Sequence, residues 1–269
     1  MPPSVPATDR AFLYGDGVFE TLLVVNGVAL WRKLHEERLM LGTRRLRIEV
    51  DARDVEHAID DAAQYYQSAA GVLRITVSRG SGERGYAPSL SAGARITATH
   101  SVLTRDPFSP LARAKVSTSS IIMGEQPLLA GIKHCNRLEQ VLAATEVKER
   151  GGDDVVLCNS EGDYQCSSNA NLFVLKGDEV LTSPCVRSGV LGTRRRLILE
   201  GLADRVGLFA GEVPLKHQDL SSADGMFLCN SIIGIRSVAR WNDRVFEPSE
   251  SLNKLQRAYY EEARKCCGM

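Results

Sequence analysis

The hydrophobic period of this chain changes repeatedly and never settles into one rhythm, which restricts the folds open to it. Val55, Ala58, Ile59, Ala62, Ala63 and Tyr66 line one face of an amphipathic helix. Directly afterwards Leu73, Ile75 and Val77 alternate with Arg74, Thr76 and Ser78, the pattern of a half-buried strand. Val18 to Leu30 reads as two short strands around Asn26-Gly27, a strong hairpin signal. Further helices are expected over Lys33–Leu46, through Leu138, Val141, Leu142 and Thr145, over Thr193–Val206, and around Leu252, Leu255 and Tyr259. Further strands are expected near Arg95–Thr99, Lys115–Ile122, Val155–Cys158, Leu172–Leu175, Val180–Leu181, Met226–Cys229 and Ile235–Ala239. Residues 1–16 read as irregular. Strands and helices mix without a regular strand–helix–strand alternation, so the fold class is α+β rather than a doubly wound parallel sheet.

Pro107 and Pro110 interrupt a stretch with little periodicity, which marks an interdomain linker at residues 105–112. A smaller N-terminal α+β domain would then span 1–104 and a larger C-terminal α+β domain 113–269. The 33 Lys and Arg balance 33 Asp and Glu. Nothing in that balance favours nucleic acid or an anionic membrane as partner, although a local basic pocket for a small anion stays open. No apolar run is long enough to span a bilayer, and Met1–Pro6 lacks the features of a signal peptide, so a cytoplasmic location is expected. The seven cysteines include no C-x-x-C pair, which indicates neither a disulfide framework nor a metal site.

Three segments could carry chemistry. Gly80-Ser81-Gly82-Glu83-Arg84-Gly85 matches G-x-G-x-x-G, but Tyr86-Ala87-Pro88 follows where a dinucleotide site needs a helix. A glycine loop carrying Arg79 and Arg84 could instead cover an anionic substrate. Ser188–Arg194 runs into a helix, with Gly192 for close approach and Thr193 as N-cap; it is either a phosphate cradle or an ordinary capped helix. Gly131-Ile132-Lys133-His134-Cys135-Asn136-Arg137 puts a lysine just before a helix. In a partly apolar pocket such a lysine can condense with a carbonyl, and on a surface it does nothing of the kind.

Together these segments resemble the fold-type IV pyridoxal-phosphate enzymes, also called the class IV aminotransferase family. This group holds branched-chain and D-amino acid aminotransferases and aminodeoxychorismate lyase. The opening Asp9-Arg10-Ala11-Phe12-Leu13-Tyr14-Gly15-Asp16-Gly17-Val18-Phe19-Glu20-Thr21 is close to the family's D-R-G-x-x-Y-G-D-G-x-F-E-T. Leu129–Leu142 and Arg79–Tyr86 are similar to the lyase in particular. The resemblance implies the two-domain fold of that group, with the cofactor between the domains, and a homodimer acting on a small molecule. It implies that Lys133 holds pyridoxal 5'-phosphate covalently and moves protons. Arg38, in His35-Glu36-Glu37-Arg38-Leu39, would bind the cofactor phosphate together with Gly192, Thr193, Ser231 and Ile232. Arg79, Arg84, Tyr86 and His134 would lie near substrate. The activity implied is conversion of 4-amino-4-deoxychorismate to 4-aminobenzoate and pyruvate, towards folate. Aminotransfer on D-amino or branched-chain amino acids is the alternative.

One position departs from the family. The residue five before the Asn of its N-[LIV]-F signature is a glutamate that pairs with the pyridine nitrogen. Here the signature is Asn171-Leu172-Phe173 and that position is Cys166. Glu161, in the preceding Ser160-Glu161-Gly162 turn, is badly placed to replace it. A neutral thiol supports a pyridinium far less than a carboxylate does. The chain is then a lyase that tolerates a weak electron sink, an enzyme of other chemistry, or a cofactor-binding protein of low activity.

Overall fold

A computed structural model describes residues 4–88 and 93–269. The chain packs as two compact units: Met1–Pro107 with Ile132–Asn136 and Cys266–Met269, and Phe108–Gly131 with Arg137–Lys265. The first border lies at Pro107. Lys133, however, packs with the first unit, not with the larger C-terminal region where the sequence reading placed it.

The first unit begins with a short helix, α1 (Arg10–Tyr14), in a stretch read as irregular. The Asp9 side chain caps it by accepting from Ala11 N, and Gly15 ends it at φ 68°. Then follow β1 (Gly17–Val25), β2 (Val28–Ala29), α2 (Arg32–Leu46), α3 (Ala52–Ala63), β3 (Ala70–Ser78) and β4 (Arg95–Val102). Among the described residues the strands form an antiparallel sheet in the order β2-β1-β3-β4. Asn26 and Gly27 both take positive φ, 49° and 79°, as a tight primed hairpin turn requires. Val18, Leu22 and Val24 of β1 and Leu73, Ile75 and Val77 of β3 form one buried face. Val55, Ile59, Ala62 and Ala63 of α3 and Leu39 of α2 cover it.

The second unit contains β5 (Ala114–Ile122), α4 (Leu138–Arg150), β6 (Asp154–Cys158), β7 (Tyr164–Ser167), β8 (Asn171–Lys176) and β9 (Glu179–Thr182). After these come α5 (Thr193–Leu197), β10 (Phe209–Glu212), α6 (His217–Ser222), β11 (Gly225–Asn230), β12 (Gly234–Trp241), β13 (Arg244–Val245) and α7 (Glu250–Cys266). Its sheet runs β10-β9-β8-β11-β12-β5-β6-β7, with β13 beside β12. An additional pairing of Cys166 with Asn171 joins β7 back to β8 and closes a ring of strands, which gives the sheet a barrel-like character. Val156, Leu172, Val174, Met226, Leu228 and Trp241 form the main core. Met123, Ala143, Val155, Leu157 and Cys166 form a second, smaller one.

The helix expected over Thr193–Val206 is broken, because Glu200 and Gly201 leave helical geometry and Gly201 sits at φ 141°. Among the described residues no helix is long and apolar enough to cross a membrane.

Gly71 shows how tightly the first unit is packed. A Cβ there would run into the Tyr66 ring, whose hydroxyl donates to Val72 O at 2.9 Å. Gly71→Ala is therefore expected to cost about 1–3 kcal/mol, read as a lower urea midpoint with an unchanged slope.

Candidate active site

The segment bearing Lys133 lies against the start of β1. His134 bridges Val18 in antiparallel register. Phe19 N donates to Lys133 O at 2.9 Å, and Cys135 N donates to Gly17 O at 2.9 Å. Helix α4 begins only at Leu138, so Lys133 is held by strand-like pairing rather than by a helix start. Its Nζ lies 4.5 Å from the centroid of the Phe19 ring. Arg74 Cζ lies 3.7 Å from that same centroid. Two cations thus share one aromatic ring. Burial holds the Arg74 guanidinium below its ordinary pKa. Its Nε reaches Thr76 Oγ1 at 3.4 Å, and among the described residues no carboxylate pairs with it. Arg74 was not among the residues singled out from the sequence.

On β1 the next residue is Glu20. Alternate strand residues face opposite ways, so Glu20 joins the row of Val18, Leu22 and Val24 that faces the helices. It is fully buried there, opposite Ile75. Arg38 donates from Nε to Glu20 Oε1 and from Nη2 to Oε2, both at 2.6 Å. His35 Nδ1 lies 2.6 Å from Oε2. His35 and Arg38 are three residues apart on α2 and so share a face. Burial alone would raise the Glu20 carboxyl, but the Arg38 charge and His35 outweigh it and hold it down at about 2.

The glycine loop is anchored from below. Buried Arg10 donates to Asp16 Oδ2 at 2.9 Å, Gly85 O at 3.0 Å and Tyr86 O at 2.7 Å. Arg79 donates to both Asp16 oxygens, to Arg47 O at 2.7 Å and to Leu46 O at 2.7 Å. Those four bonds commit its guanidinium to tying the loop to the end of α2. Arg84 is exposed, and Tyr86 is exposed beside Tyr14, with ring centroids 5.4 Å apart.

In the second unit Gly192 is the N-cap of α5, and buried Thr193 is its first helical residue rather than the cap. A side chain at 192 would collide with the Asn171 amide, which donates to Val190 O at 2.8 Å. Ser231 and Ile232 lie half-buried in the turn between β11 and β12. There Asn230 Oδ1 accepts from Ile232 N and Ile233 N, each at 2.9 Å. Cys166 is buried in the smaller apolar core, its Sγ 3.6 Å from Met123 Sδ. Burial pushes its thiol far up, so it stays neutral. Glu161 stands on an exposed turn with its carboxylate 4.0 Å from Arg187.

The Glu20 cluster sets a pH dependence. Its folded carboxyl titrates at about 2, below the ordinary 4.5, so its stabilisation is complete above 4.5 and is lost as pH falls through about 2. Wild-type urea midpoints are expected to fall between pH 5 and pH 2.5. In Glu20→Gln that fall should be shallower by the share of one carboxyl.

The amino-transferase class IV family profile matches residues 17–241. An aminodeoxychorismate lyase of Vibrio harveyi is 35% identical over 237 residues, covering 87% of this chain and 86% of its own. A putative branched-chain-amino-acid aminotransferase of Methanocaldococcus jannaschii is 27% identical, covering 95% and 90%. The crystal structure of 4-amino-4-deoxychorismate lyase from Pseudomonas aeruginosa superposes with a TM-score of 0.88 at 31% identity, over 96% of this chain and 94% of that one. The matched span holds β1, Arg38, Lys133 and the start of α5, and the chain belongs to the class IV amino-transferase family.

Proposed function

We propose that this protein is a pyridoxal-phosphate-dependent lyase that converts 4-amino-4-deoxychorismate to 4-aminobenzoate and pyruvate, a step towards folate. The observation that carries this reading is Lys133 pinned to β1 with its amine over Phe19. The likeness to two lyases, at 35% and 31% identity, supports it. The donor chemistry fits the cofactor in two respects. A lysine amine is held by backbone pairing in part-apolar surroundings, and the Arg38 guanidinium is held in one orientation by its bidentate pairing with Glu20 at 2.6 Å. The thiol of Cys166 does not fit the role of a counter-charge for a ring nitrogen.

Arg38 would take the phosphate. Lys133 would hold the cofactor covalently. Bound pyridoxal phosphate supplies an electron sink for the carbon next to the substrate nitrogen. Lys133 Nζ would take the proton from that carbon. The bond from the ring to the enolpyruvyl oxygen would break with its pair on oxygen, the ring would become aromatic, and the departing enolate would take up a proton to end as pyruvate. Arg74, rather than Arg79, is the guanidinium we assign to a substrate carboxylate, and Arg84, Tyr86 and His134 would contribute further substrate contacts. A neutral Cys166 weakens the sink, which suits an elimination driven by aromatisation and disfavours the longer-lived carbanion of full aminotransfer. The same reading makes the protein a cytoplasmic homodimer.

The assay is release of 4-aminobenzoate by the native protein. Lys133→Ala should lower it by at least ~100-fold. Arg74→Ala should raise KM about tenfold, in line with one lost charged hydrogen-bond pair, with a smaller change in kcat. No release from native protein or from Cys166→Glu would defeat the lyase reading. Brisk transamination of D-alanine or branched-chain amino acids by native protein would favour the aminotransferase. Cofactor binding without any turnover would leave a binding protein of low activity.

A further inference from the structure

On the buried face of β1 the residues Val18, Leu22 and Val24 are apolar, and the single charge in that row is Glu20. It stands opposite Ile75 and has no access to solvent. A charge in such a place needs a reason. Desolvating a carboxylate is expensive, and exchanging a buried ion cluster for well-packed apolar residues is often neutral or stabilising. An apolar residue at 20 would complete the face that Leu39, Val55 and Ile59 already cover. Stability alone therefore does not account for the carboxylate.

Its contacts do. Both carboxylate oxygens accept from Arg38, one from Nε and one from Nη2, each at 2.6 Å. This fork fixes the plane of the guanidinium as well as its position. The remaining N–H groups of a planar guanidinium then point away from the fork, in directions set by the protein. His35 holds Oε2 from the same helix face at 2.6 Å, so the carboxylate itself cannot rotate. Arg38 keeps a tenth of its side-chain surface open, while Glu20 has none. The buried partner is the fixed one and the arginine is the one presented outward.

We infer that Glu20 is a positioning residue: it aims Arg38 at the phosphate monoester of the cofactor, and His35 braces it. This rests on the reading that Arg38 takes that phosphate. Glu20 touches neither cofactor nor substrate. Its effect is on the phosphate group alone, not on the ring or on Lys133, which the neighbouring Phe19 serves on the other face of β1.

The test compares binding of pyridoxal phosphate with that of pyridoxal, which lacks the phosphate, by absorbance titration of the cofactor-depleted full-length protein. The ratio of the two dissociation constants is the phosphate preference. Wild type should show a large preference, and Arg38→Met should abolish most of it. Glu20→Gln should reduce it at least tenfold while pyridoxal affinity stays within about twofold. The double variant should match Arg38→Met, since one residue acts through the other. A purely structural role would instead lower the melting temperature and leave the preference intact. A wild-type preference in Glu20→Gln beside a lost one in Arg38→Met overturns the inference. A preference that survives in Arg38→Met overturns the phosphate reading of Arg38 instead. Should Glu20→Gln fail to fold, Glu20→Asp keeps the charge but is one methylene too short for the fork. It should lose preference too, and a wild-type value there is equally decisive against the inference.

Discussion

A short run of main-chain pairing between Gly17–Phe19 and Lys133–Cys135 sets the geometry on which the rest depends. It draws a segment from far along the chain onto the first unit and fixes the lysine amine relative to β1. The next residue of the same strand, Glu20, fixes Arg38. Neighbouring positions on one extended strand are spaced by about 3.3 Å and face opposite ways. One strand thereby sets both the amine and the guanidinium, and a nine-residue register with β3 keeps that strand from sliding.

The electrostatics of the first unit follow from how each arginine is engaged. Arg10 and Arg79 converge on Asp16, which burial would raise but which their hydrogen bonds and charges hold low. They serve the backbone. Arg38 shares Glu20 with His35. Arg74 stands apart, against a ring instead of a carboxylate. A chain with no net charge thus holds local positive groups of distinct use. The thiol of Cys166 lies at the other extreme, uncharged in an apolar cluster.

The elements with a clear period were legible in the sequence. The hairpin at Asn26-Gly27, α3 with its apolar stripe and the alternating β3 all formed where the pattern put them. β7 did not announce itself, because Tyr164–Ser167 are all buried and carry no alternation. α6 is too short to show a period. Lys133 was recognisable by its neighbours, but its place in the first unit depends on long-range backbone pairing that no local window contains. Arg79 and Arg74 look alike as letters; only their hydrogen bonds distinguish the one already committed from the one still facing a ring. Glu20 left a signal, a lone charge in an apolar row of period two, that becomes readable once the strand's buried face is known.

Lys133 is the proposed covalent anchor of the cofactor. Borohydride treatment of the protein loaded with pyridoxal phosphate, followed by mass mapping of its peptides, tests this directly. The expected result is one reduced pyridoxyl-phosphate adduct, on the peptide containing Lys133 and at that residue. An adduct at another lysine, or none at full loading, would contradict it.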